Sequence, residues 1–170
     1  LFFPLINREF SKNNFEVIKQ ISQQVGKWIF LINLPVIILI ILFPELIIKI
    51  LFGQEYISAS NSLRILAIGG FFTSLFTISH SLITMLGKSK IVIFDMVSVF
   101  LISIILDIIL IPKYGITGAA IGTMISNIIL SLLFLYQANY FLSIIQLRRK
   151  MLPITISAFV PGVILLFSKD

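Results

Sequence analysis

The chain has no cysteine, one histidine, one tryptophan and seven acidic residues in 170. The lack of cysteine excludes disulfides and thiolate metal sites. With a single histidine and so few carboxylates there is no metal-ligand cluster and no Ser/His/Asp arrangement. Nor does any phosphate-cradling glycine loop lead into a lysine. The reading is therefore of a non-enzyme, with no catalytic residue, no metal site and no cofactor. Charge is also scarce, at 12% of residues. Segments 65–87, 114–147 and 151–168 carry none, and 91–112 carries two Asp and no basic residue.

What fills the space is apolar. Hydrophobic side chains make up 58% of the sequence, more than a soluble domain of this size can hide from water. Uncharged runs of this length read as transmembrane helices, since about 20 residues at about 1.5 Å each cross the hydrocarbon core. The expected fold is an all-α, polytopic transmembrane helix bundle, with the lipid bilayer as its first partner. The net charge of +6 does not point to nucleic acid, because the basic residues sit in short loops between spans and not in one stripe.

Residues 1–170 read as one membrane-embedded domain, a fragment of a longer chain that opens within the tail of a preceding span at Leu1–Ile6. Segment 7–25 is expected to form a cytoplasmic amphipathic surface helix. Asn13 and Glu16 resemble a capping box there, and Phe15, Ile18, Ile21 and Val25 recur at steps of three or four. Five spans follow, at about 26–43, 64–86, 91–111, 116–140 and 151–168. Pro35 suggests a kink in the first. Pro44 opens a short interfacial piece in which Glu45 and Lys49 are spaced for an ion pair. Pro112 should end the third span and Gly115 allow a tight reversal.

Loop charges set the sidedness. Segments 7–27, 87–90 and 141–150 hold Arg8, Lys12, Lys19, Lys27, Lys88, Lys90, Arg148, Arg149 and Lys150, whereas the alternate segments hold Lys49, Arg64 and Lys113. The positive-inside rule then places the first set in the cytoplasm of a multi-pass cell-membrane protein.

Polar residues inside the spans are the candidate functional groups. Thr73, Thr77, His80 and Thr84 fall on one face of the second span, flanked by Ser74 and Ser81. Lipid cannot satisfy such a stripe, so it should face protein or a water-filled cavity. His80 either binds a coupling proton, contacts a sugar or makes an interhelical hydrogen bond. In the third span, the apolar side chains favour insertion by roughly 5–10 kcal/mol and two Asp cost about 5–7 at most. The span survives that cost. Asp95 is expected to reach cytoplasmic water and Asp107 the outer surface, at two separate places on the helix, and both, like His80, are candidates for ion coupling or for the transport path. Thr123, Asn127 and Ser131 share a line on the fourth span, and Asn127 joins Thr73, Thr77, His80 and Thr84 as a candidate to line a substrate cavity. Gly118, Gly122 and Ser126 form a small-residue ridge for close helix packing. Arg64, opening the second span, either contacts a phosphate or snorkels to headgroups.

Four segments in order, "LFFPLINREFSKNN", "LFPELIIKILFGQEYISASNSLRILAIGG", "LITMLGKSK" and "LIPKYGITGAAIGT", resemble the C-terminal half of the polysaccharide (O-antigen-type) flippases of the multidrug/oligosaccharidyl-lipid/polysaccharide superfamily. The resemblance implies a two-lobed, MATE-like transporter, of which this chain is most of the second lobe. It also implies alternating-access export of an undecaprenyl-pyrophosphate-linked oligosaccharide, with an absent N-terminal lobe as partner. Two other readings remain open at this stage. A cation-coupled multidrug exporter would call for an acidic or aromatic cavity. A membrane polymerase or glycosyltransferase would call for a large outward loop bearing catalytic residues.

Overall fold

In the computed structural model the described residues are 6, 8, 9, 12 and 14–142. The expected span 151–168, Asn13 and the basic residues 148–150 lie outside them.

Five α-helices and one 3-10 turn account for nearly all of this stretch: α1 (Phe15–Leu42), α2 (Pro44–Leu51), the 3-10 turn Gln54–Ala59, α3 (Ser60–Met85), α4 (Ser89–Tyr114) and α5 (Ile116–Leu142). The three helices Glu16–Leu42, Ser89–Tyr114 and Ile116–Phe141 are each long and apolar enough to cross a membrane, and the bent pair Gln54–Ser74 and Phe76–Met85, which contains α3, passes the same test when taken as one span. The protein is a multi-pass membrane protein. The long helices stand in the order α1, α3, α5, α4, with α5 packed between α3 and α4. Apolar residues such as Ile32, Val36, Phe94, Phe100 and Ile108 point outward, which costs nothing against acyl chains.

The expected boundary between a surface helix and the first span is absent. Residues 15–42 form one helix, 28 residues long, or about 42 Å, which overruns a hydrocarbon core of roughly 30 Å. The overrun accommodates the polar N-terminal turns. Ile18 of the amphipathic stripe packs with Ile78 and Leu82 of α3, and Ile21 and Val25 join them. Protein, not the headgroup layer, thus takes up that stripe. Asn14 precedes the helix, and its amide bonds to the Glu9 carboxylate and not to the helix N-terminus. Pro35 lies inside α1, which continues through it.

Helix α3 bends by 40° between Ser74 and Phe76. The preceding turns explain why: Gly69 and Gly70 are poor helix formers, and the hydroxyls of Thr73 and Ser74 bond back to the carbonyls of Gly69 and Phe71. Pro112 does not end α4. The helix runs on to Tyr114 and stops at Gly115, whose φ of 57° is open to glycine at little cost. A proline this close to the end forfeits one backbone bond and little else.

Candidate functional site

Where α3, α4 and α5 meet, a cleft of about 160 Å³ is lined by Thr73, Phe76, Thr77, His80, Met96, Leu130, Ser131 and Phe134. Three of the four stripe residues therefore converge. Thr84, one turn beyond His80, is exposed and lies off the cleft, as does half-buried Asn127. Ser131, one turn along from Asn127, takes its place. Its hydroxyl donates to the Asn127 carbonyl at 2.6 Å.

The hydroxyls share one arrangement. Thr73 donates to the Gly69 carbonyl, Thr77 to Thr73 at 2.9 Å and Thr84 to His80 at 2.9 Å. Each proton is thereby committed within its own helix, leaving the oxygen lone pairs as acceptors. The His80 ring packs on Phe134, with centroids 5.1 Å apart and planes tilted 54°. The cleft thus offers acceptor oxygens and an imidazole between apolar walls, as ligand-orienting sites do. It suits neutral, hydroxyl-rich groups.

The acidic residues do not join it. Asp95 is buried, at 7% exposure, and accepts a hydrogen bond from the Gln137 amide of α5. This corrects the expectation that it reaches cytoplasmic water: α5 covers it and supplies the donor. Asp107 is half-buried, and its Oδ1 is fully covered against Gly122 with no hydrogen-bond partner among the described residues. Both carboxylates face α5, at separate points along it. Gly118 lies against the Leu110 backbone, closer than any Cβ would allow, and Ser126 is buried. The small-residue ridge is thus turned toward protein.

Arg64 is remote from the cleft. Its Nε donates to the Ile41 carbonyl at 3.1 Å, and Nη1 stands 3.5 Å from Asn61 Oδ1. The side chain thus caps the C-terminal end of α1, a role sequence spacing did not reveal. The partnership of Asp95 with Gln137 was also missed. Its signal was an amide in an uncharged span, which needs a partner somewhere.

Residues 3–109 match the MatE family. A protein of Shigella flexneri named as an O-antigen transporter is 39% identical over 125 residues, which is 71% of this chain and 30% of the relative. A membrane protein of Methanocaldococcus jannaschii is 27% identical over 168 residues, covering 99% of this chain and 33% of its own length. A protein of Haloferax volcanii named as a low-salt glycan biosynthesis flippase is 29% identical over 142 residues, 84% of this chain and 30% of its own. The chain spans about a third of the length of these curated relatives. No solved structure is significantly similar to it. With the family match covering well over half of its residues, the chain belongs to the MatE family.

Proposed function

We propose that the chain is part of a transporter that flips a lipid-linked oligosaccharide across the cell membrane by alternating access, completed by an N-terminal lobe. One observation carries this reading: the cleft at Thr73, Thr77, His80 and Ser131, whose hydroxyl protons are committed within their own helices and whose oxygens keep lone pairs to accept with. Sugar hydroxyls are donors that such oxygens accept, and Phe76 and Phe134 give apolar walls for the sugar's C–H faces. The names of the Shigella and Haloferax relatives agree with it. A cavity for cationic drugs would call for acidic or aromatic lining. Phe76 and Phe134 supply aromatic rings, but Asp95 and Asp107 both turn toward α5, and the relatives' names favour the flippase reading. The ion-coupling candidates are His80 on the cleft, Asp95 and Asp107. Asn127 and Thr84 fall outside the sugar-contacting set in this conformation.

In the full-length protein, His80→Ala should reduce surface polysaccharide several-fold at an unchanged level of membrane-inserted protein. Normal polysaccharide at a normal protein level would leave the imidazole without a part in export. The proposed sidedness puts the α3–α4 turn in the cytoplasm. A cysteine introduced at Ser89, which is exposed, should react with a membrane-impermeant thiol reagent only after the membrane is opened. Labelling on intact cells would invert the topology.

A further inference from the structure

At the end of the bundle that carries α2, a second cleft of about 360 Å³ is lined by Leu42, Phe43, Pro44, Glu45, Leu46, Lys49, Ile57 and Arg64. Three charged side chains share it, two with no side-chain bond among the described residues and the third, Arg64, with guanidinium N–H groups to spare. Glu45 and Lys49 are exposed, and among the described residues the ion pair formed is Glu9–Lys12, not theirs. Arg64 is half-buried and fixed in place by the Ile41 carbonyl. One face of α2 is buried through Pro44 and Ile48, while Leu46, Ile50, Leu51 and Phe52 are all more than half exposed. A short helix that shows both apolar side chains and unpaired charges to its surroundings fits the boundary between acyl chains and headgroups.

The geometry points to a binding site for a zwitterionic phospholipid bearing a primary ammonium group, its phosphodiester held by Arg64 and Lys49 and its ammonium by Glu45. The carboxylate argues against a purely anionic lipid. Glu45 and the carbonyl end of α1 offset much of the positive charge of Lys49 and Arg64. A headgroup with both signs matches both signs in the cleft, and its tails lie along Leu46 and Ile50. Anchoring α2 in this way would hold the corner between α1 and α2 in register with the membrane surface. The site does not depend on the nature of the transported molecule.

The test is native mass spectrometry of the delipidated full-length protein titrated with phosphatidylethanolamine, phosphatidylglycerol or inorganic phosphate. Wild type should bind phosphatidylethanolamine about tenfold more tightly than phosphatidylglycerol, and millimolar phosphate should not compete. Lys49→Gln should weaken both lipids. Glu45→Gln should weaken phosphatidylethanolamine selectively, about tenfold, and narrow the gap between the two. Neither residue has a fold-supporting bond, so both variants should fold, whereas Arg64→Ala also uncaps α1. Equal binding of the two lipids in wild type, displacement by phosphate, or unchanged affinities in both variants would overturn the site. Polysaccharide export in His80→Ala reports on the other cleft and is independent of these outcomes.

Discussion

Gly118→Ala is expected to cut the yield of folded full-length protein several-fold, more than any other single-methyl change in the bundle. A Cβ there would stand 2.6 Å from the Leu110 carbonyl carbon and 3.0 Å from the Ile111 nitrogen, with the Leu110 oxygen nearer still. All three are backbone atoms of α4, so no rotamer change relieves the overlap and the two helices must separate. Overpacking costs typically about 1–3 kcal/mol, and a backbone clash lies at the upper end. The loss spreads because α4 and α5 are joined at Gly115 and packed along their length. Moving one turn apart disturbs the next. Gly122→Ala makes a useful contrast. Its Cβ would meet Asp107 Oδ1 at 2.5 Å, the tip of a side chain that can rotate away. Fluorescence-detected size exclusion should show Gly118→Ala largely aggregated and Gly122→Ala near wild type. Indistinguishable profiles would mean that the helices do not meet at Gly118.

The spans within the described residues were legible because bilayer thickness acts on each segment alone. A run of uncharged residues such as 114–147 is recognisable without knowing its neighbours. The small-residue ridge was legible for a similar reason: Gly118, Gly122 and Ser126 repeat at helical spacing, and small residues let backbones approach. Which helix approaches them was not, since nothing in 116–140 names Leu110 as the contact. The stripe on α3 shows the limit most clearly. A uniform turn of about 100° per residue groups Thr84 with Thr73, Thr77 and His80. The cleft, however, is made by what α4 and α5 place opposite, and Met96, Leu130 and Phe134 stop short of Thr84. The capping bond of Arg64 was hidden for the same reason: its acceptor, the Ile41 carbonyl, is 23 residues away on another helix. The apolar stripe over 18–25 was found by its period, but its partner, Ile78 and Leu82, was not. Periodicity identifies a face and leaves open whether protein or lipid covers it.

The second large effect is expected where α4 and α5 exchange their buried polar contact. Asp95 is 7% exposed and accepts from Gln137 Nε2, while Gln137 Oε1 is buried without a partner among the described residues. Gln137→Leu removes the donor and strands a buried carboxylate. Hydrogen bonds to charged groups are worth about 1.5–3 kcal/mol, although polar pairs between membrane helices average nearer 0.6, with the largest about 1.7. The contact is partly buried, with Asp95 covered and Gln137 half-buried, so the cost lies between these figures and a measurable drop in thermal midpoint is expected in detergent. Asp95→Asn should behave in the opposite way. An asparagine amide keeps an oxygen for Gln137 Nε2 and adds an N–H for the orphaned Oε1, giving a two-point amide pair with no charge to bury. Its midpoint should equal or exceed that of wild type, and Asp95→Leu/Gln137→Leu should recover part of what Gln137→Leu alone loses. A destabilised Asp95→Asn, or an untroubled Gln137→Leu, would show that this contact does not support the helix pair. Transport by the Asp95→Asn protein then separates two roles that stability alone cannot. Folded but inactive protein assigns the negative charge to the transport cycle. Folded and active protein confines Asp95 to holding α4 against α5.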